Sequence, residues 1–207
     1  SSEFEFLEKF ILEAKERNII YYMKEKLQGM NRKKSLQEGE IQLGYVKVEE
    51  AKHIYSLMRQ VQKGMGDPSL FVCDDLEYVL EHVNKKGFIV KAENSARELV
   101  ASFLIRYPKL EEDNLGYDLG FSSEKLEEVA HMESVVVRED YRGSGLQQKM
   151  LQYAEKRIRE DGYRYCMATV APGNVFSKSN FLKQGYECKL TKLKYGGKER
   201  DILLKVL

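Results

Sequence analysis

Apolar residues recur along this chain with two different periods. Over residues 3–28, Phe4, Leu7, Ile11 and Ala14 return every three or four positions, and Phe6, Phe10 and Ile20 widen the stripe. That spacing predicts a long amphipathic helix. Such a helix is marginal alone in water, so its stripe requires a covering surface, on the domain behind it or on a second copy of the chain as a homodimer. The glycine-bounded, polar stretch GMNRKKSLQEGE then breaks the pattern and reads as a linker. We therefore divide the chain into a helical extension with its linker, 1–38, and a domain, 39–207.

From residue 41 the period changes repeatedly. IQLGYVKV alternates as a strand does, and EEAKHIYSLMRQVQKG returns to helical spacing through Ala51, Ile54, Tyr55, Met58 and Val61. MGDPSLFV is a loop, broken by Pro68. DDLEYVLEHVNKK is a second helix, with Asp74 or Asp75 suited to its N-terminus. GFIVKAE and ELVASFLIRYP form a hairpin about the polar turn NSAR. A short helix at SSEKLEEVA precedes the valine-rich strand HMESVVV. The helix GLQQKMLQYAEKRIRED follows, burying Leu146, Met150, Tyr153, Ala154 and Ile158. The strand YCMATV, the helix NVFSKSNFLKQ capped by Gly185, and the strands YECKLTKLKY and RDILLKVL complete the chain. Helices and strands interleave without a repeating βα unit, which predicts a mixed α/β (α+β) domain and not a doubly wound array.

Composition narrows the function classes. The 34 basic and 33 acidic residues leave a formal net charge of +1, so no broad field favours nucleic acid or an anionic membrane. No apolar run approaches the roughly 20 residues that span a bilayer. Cys73, Cys166 and Cys188 form no CxxC pair and read as reduced thiols of a cytoplasmic protein. His53, His82 and His131 lack the spacing of metal ligands, so no metal site is expected.

The chemistry-bearing stretch is ESVVVREDYRGSGLQQKML, where an apolar strand hands over to a helix through Gly143 and Gly145. The phosphate-loop pattern GxxxxGK[ST] is absent, and the dinucleotide pattern GxGxxG fails at Gln148. What remains is a glycine turn at a helix N-terminus. Unpaired main-chain amides, close approach at glycine and the helix dipole suit an anionic group there. A plain tight turn fits the same letters.

Arg142 and Gly145 match the [RQ]-x-x-G-x-[GA] motif of the GCN5-related N-acetyltransferase (GNAT) family, with Gln147 departing at the last place. Downstream, Asn174, Gly185 and Tyr186 resemble the family's second motif, and the element order from 41 onward is similar to its fold. The resemblance covers roughly four-fifths of the chain on its length. It implies a central, mostly antiparallel mixed sheet flanked by helices, with an extra N-terminal helix.

It further implies acetyl-CoA as co-substrate, held where the strands HMESVVV and YCMATV splay apart. Val135, Val136 and Val137 would pair with the pantetheine arm. Arg142, Gly143, Ser144, Gly145, Leu146 and Gln147 would carry the diphosphate, with Gln147 crowding the loop. Asn174, Ser177 and Asn180 would face the cofactor, or else cap and pair locally. Glu133 is the candidate base for an amine acceptor, small molecule or protein. Its period-2 relation to Val135 and Val137 puts it on their strand face, where apolar neighbours would raise its pKa; the alternative is an ion-paired glutamate. The family's tyrosine acid falls at Phe181, which leaves Ser177, water or unassisted departure of the thiolate. Asp67, Asp74, Asp75, Glu111, Glu112 and Asp113 give the acceptor loops an acidic bias that suits a cationic amine, and solvated loop carboxylates fit it equally. A non-catalytic acyl-CoA-binding module of the same fold is the competing reading.

Overall fold

The computed structural model describes residues 36, 40–64 and 75–207. The expected N-terminal helix, nearly all of the linker with its boundary at 38/39, and the loop carrying Pro68, Asp67, Cys73 and Asp74 lie outside the described residues.

The described residues build a seven-stranded sheet flanked by helices. The strands are β1 (Ile41–Tyr45), β2 (Gly87–Asn94), β3 (Leu99–Arg106), β4 (Val129–Val137), β5 (Tyr165–Val170), β6 (Glu187–Lys194) and β7 (Lys198–Val206), in spatial order β1-β2-β3-β4-β5-β7-β6. Every neighbouring pair is antiparallel except β4 with β5. The helices are α1 (Ala51–Lys63), α2 (Leu76–His82), α3 (Ser123–Glu127), α4 (Leu146–Glu160) and α5 (Val175–Lys183). The expected mixed fold is borne out, and most element ends fall within two residues of the pattern-based ones.

Two apolar layers hold the sheet. On one face Phe88, Phe103, Ile105, Ala130 and Met132 pack against Leu146, Met150, Leu151, Ala154 and Ile158 of α4. On the other, Ile89, Leu104 and Val136 pack against Ile54, Leu57 and Met58 of α1 and Val79 of α2. Buried side chains of this size each stabilise by about 1.5–3 kcal/mol relative to exposure. β3 is buried on both faces, as its unbroken apolar run LVASFLI requires of a central strand. Asp75 caps α2 by accepting a 2.8 Å bond from the Tyr78 amide, so one of the two expected cap residues is assigned.

Two departures from regular geometry create the site. First, the parallel ladder between β4 and β5 covers only Val129↔Tyr165, Ala130↔Cys166 and His131↔Met167. Beyond it β4 runs on to Val137 and β5 to Val170 without a shared ladder, so the strands diverge into a notch. Second, Leu104 pairs with Ser134 but Ile105 pairs with Met132, so Glu133 is an extra residue on β4. A bulge of this kind re-aims a side chain and resets the alternation beyond it. Met132 and Val135, three positions apart, both pack on the α4 side as a result.

Candidate active site

The glycine turn closes the open end of the notch. Gly143 and Gly145 have φ of 73° and 81°, a left-handed conformation that a side chain makes costly. Gly145 is the N-cap of α4, and no side chain caps that helix. A Cβ placed on Gly145 would meet no protein atom within 4 Å. Space is thus open beside Gly145, and the glycine serves the backbone angle. Ser144 Oγ donates to Tyr141 O at 2.5 Å, tightening the turn, and Arg142 Nε lies 3.5 Å from Val137 O at the end of β4. Leu146 is buried in the α4 core.

Gln147 does not crowd the loop as expected. It turns inward and is 7% exposed, its Oε1 accepting from Asn180 Nδ2 at 3.3 Å. Its Nε2 is buried with no partner among the described residues. Asn180 is a tie between α4 and α5: its amide also donates to Phe176 O, and Gln148 Nε2 donates to Asn180 O at 2.6 Å. Asn174 caps α5 through a 3.2 Å bond from the Ser177 amide. The local pairing weighed above thus holds for both asparagines. Lys178 pins α5 to β7 through Asp201 at 2.6 Å.

Val135, Val136 and Val137 pair with Phe103, Ser102 and Ala101 of β3 on one edge. Their other edge borders the notch, with no ladder to β5 among the described residues. Main-chain groups along that edge suit an extended ligand added like a strand.

Glu133 stands apart from these valines. The bulge turns its carboxylate to the opposite face, towards Arg106, His131 and Tyr78, so counting by twos from Val135 assigned it to the wrong face. Tyr78 Oη donates to Glu133 Oε2. Arg106 Nη1 reaches Oε1 at 3.4 Å and His131 Nδ1 reaches it at 3.5 Å. Leu115 N donates to His131 Nε2 at 3.0 Å, which leaves Nδ1 as the nitrogen bearing hydrogen towards Glu133. Burial works to raise the Glu133 pKa, but the bonds from His131 and Tyr78 and the Arg106 charge overcome it and hold the group below its ordinary value. The expected upward shift is therefore corrected: donors surround this carboxylate where apolar neighbours were anticipated.

Arg106 organises the charged cluster on this face. It is 5% exposed and grips Asp113 in a two-pronged contact at 2.7 Å, with Glu111 as a further partner. Three carboxylates share one guanidinium, so the cluster keeps a negative excess. Of the loop acids expected to attract a cation, Asp113 and Glu111 are engaged by Arg106 and Asp75 caps a helix. Sequence reasoning overlooked Arg106, Tyr78 and His131. The one available signal was a lone arginine ending the apolar run LVASFLI.

Phe181 is buried edge-to-face against Tyr186, with ring centroids 5.0 Å apart. It offers no hydroxyl. Cys166 is buried, and its thiol is pushed up to about 12 by burial, so it is no nucleophile. Among the described residues, no cluster of three or more ligating side chains forms a metal site, and no helix is long and apolar enough to cross a membrane.

A family model described as the Acetyltransferase (GNAT) family matches residues 61–186, more than half of the chain. The chain belongs to the GNAT acetyltransferase family. Similar solved structures share the fold. A putative acetyltransferase, yncA, from Salmonella typhimurium, solved with its cofactor acetyl-CoA, aligns at TM-score 0.60 and 12% identity over 81% of this chain and 94% of its own. Ribosomal-protein-alanine N-acetyltransferase from Brucella melitensis aligns at TM-score 0.61 and 19% identity over 80% and 99%. A mosquito arylalkylamine N-acetyltransferase-like protein, 5b, aligns at TM-score 0.62 and 16% identity over 81% and 100%. Comparison with curated proteins returns no match.

Proposed function

We propose that this GNAT acetyltransferase moves an acetyl group from acetyl-CoA to a primary amine of a small molecule or protein, by direct attack. The observation that carries the reading is the alignment of two features: the unladdered edge of β4 and the uncapped start of α4, joined by the Gly143–Gly145 turn. Acetyl-CoA would bring an activated thioester. Val135–Val137 would hold its extended arm, and the amides of residues 142–147 its diphosphate.

On the opposite face of the sheet, the carboxylate excess around Arg106 suits a cationic amine. The cationic amine first gives one proton to solvent, which frees its lone pair; attack then forms a C–N bond and breaks the C–S bond, and the nitrogen sheds its second proton. Glu133, ionised because three donors favour its charged form, takes that proton directly or through water. Two of the similar structures are named N-acetyltransferases, which supports nitrogen as the acceptor atom.

Calorimetry with acetyl-CoA and a thiol-release assay over a panel of amines test this together. Binding with amine-dependent thiol release is the expected result. Two observations favour the competing reading of a non-catalytic acyl-CoA-binding module: Phe181 lacks a hydroxyl, and Glu133 is already bonded by donors. Binding with no thiol release for any amine would establish that module, and absence of binding would end both readings.

A further inference from the structure

The reaction needs a proton for the departing sulfur, and the residue at the family's usual donor position is a buried phenylalanine. Ser177 lies in the first turn of α5, but an aliphatic alcohol is a far weaker acid than a phenol, whose pKa is about 10. The β6–β7 turn offers a phenol. Tyr195 opens the turn Tyr195-Gly196-Gly197 and is held at φ 48°, with Gly196 and Gly197 at 77° and 99°. A bulky residue in that region is disfavoured and persists only where its surroundings hold it. Here the anchor is Thr169, whose Oγ1 lies 2.9 Å from Tyr195 Oη.

The sheet register shows where this pair points. Cys166, Ala168 and Val170 of β5 pack under α4, whereas Met167 packs with Val129 and Ile202 on the opposite face. Thr169 follows Met167 by one strand period and shares its face. His131, between Ala130 and Met132 of the α4 layer, lies on that same face with its cross-strand partner Arg106. Thr169 and Glu133 therefore stand on opposing arms of the notch, each two residues past the last β4–β5 pair, His131↔Met167.

Three elements bring charged groups to bear on Tyr195: Glu133 from β4, Asp113 from the loop after β3, and Arg200 from β7 with its guanidinium 6.0 Å from the ring; Thr169 of β5 adds a neutral hydroxyl. Tyr195 is 56% exposed, and partial burial first, then the charges of Glu133 and Asp113, raise its phenol pKa.

We propose that Tyr195, seated on Thr169, gives its proton to the departing thiolate. This rests on the acetyl-transfer reading above. As the C–S bond breaks, its electron pair stays on sulfur, and sulfur takes the hydroxyl hydrogen of Tyr195. The Thr169 hydroxyl donates to the phenolate oxygen, which regains its proton from solvent. The amine's proton goes separately to Glu133, so the products are the amide and the free thiol.

The test compares wild type, Tyr195→Phe, Thr169→Val and Ser177→Ala. Melting temperature and acetyl-CoA affinity by calorimetry are read beside turnover with the best amine of the panel. Tyr195→Phe should lower kcat about 10²-fold at unchanged acetyl-CoA affinity, and Thr169→Val should lower it in the same direction by less. With S-phenyl thioacetate as donor, whose thiol leaves readily without a proton, Tyr195→Phe and wild type should turn over alike. A merely structural role would depress both donors equally. Full kcat in Tyr195→Phe, or the loss appearing in Ser177→Ala instead, overturns the assignment while the acetyl-transfer reading stands. A wild type that binds no acetyl-CoA sinks that reading and this inference with it.

Discussion

Glu133→Gln separates the two roles of the carboxylate at the bulge. The exchange keeps shape and one acceptor oxygen but places an amide NH₂ where the second oxygen met a donor. Tyr78, Arg106 and His131 all donate to this group, so one of these contacts becomes donor against donor. Hydrogen bonds to a charged group contribute about 1.5–3 kcal/mol each, and removing one partner of a buried pair costs about 3–5 kcal/mol. Arg106 is not stranded by the change, because its two-pronged contact with Asp113 at 2.7 Å survives. The cost should therefore fall below the broken-pair range, at the scale of one charged hydrogen bond, about 2 kcal/mol. For a chain of this length that is about 4–8 °C in Tm.

The variant should remain folded and bind acetyl-CoA as the wild type does, since Glu133 lies on the face away from Val135 and Val137. Its turnover should fall by about 10²–10⁴-fold if Glu133 receives the amine's proton. The pH dependence sharpens the test. The folded pKa of Glu133 is depressed, so the wild-type group is already ionised above the ordinary glutamate value near 4.3. The loss of rate should thus be uniform across the neutral range, and the wild-type rise with pH should follow the amine. The same depression contributes stability that is present above that ordinary value and is lost as pH falls through the folded pKa. Acid unfolding of Glu133→Gln should accordingly be less steep. Thiol-release kinetics and urea unfolding at several pH values give all three quantities. A folded variant with wild-type turnover at every pH would refute the assigned proton transfer.

Other expectations follow from single residues. Gly145→Ala meets no atom within 4 Å but must hold φ near 81°; it should cost about 1–2 kcal/mol in urea unfolding and weaken acetyl-CoA binding in calorimetry. In the native protein iodoacetamide should label the exposed Cys188 and spare the buried Cys166, whose thiol is pushed up to about 12, as read by peptide mass mapping. His82 is buried and its pKa is lowered, first by that burial. The unfolded chain takes up its proton near pH 6.5 while the folded one resists, so stability should decline as pH falls from there to the folded pKa. His82→Gln should flatten that slope in chemical denaturation.

The sheet and its helices were legible because their signals are local. Strand and helix periods, Asp75 as a cap and the glycine turn all lie within a few residues of what they decide. The notch was legible only through resemblance, since nothing in HMESVVV or YCMATV says that their ladder stops at His131↔Met167. Asn174 and Asn180 show the limit at single residues. Their spacing allows both a ligand contact and local pairing; Asn174 caps its own helix through the Ser177 amide, and for Asn180 the choice depends on where α4 packs, through Gln147 and Gln148.

Glu133 shows the deeper limit. Alternation is a reliable guide along a regular strand, but one inserted residue reverses every assignment on its far side. HMESVVV carries no mark of that insertion; it is visible only when β4 is set against β3 and Glu133 is left without an opposite number. The reversal lets one strand serve two faces. Beyond the bulge, Val135 and Val137 complete the α4 layer and leave a main-chain edge open to the notch. At the bulge, Glu133 joins Arg106, His131 and Tyr78 on the other side. A regular strand through the same letters would bury the Glu133 carboxylate among apolar residues under α4, at a cost of several kcal/mol. The charge of Glu133 is tolerable because the bulge delivers it to donors, and the same turn of the chain sets it across the notch from Thr169 and Tyr195.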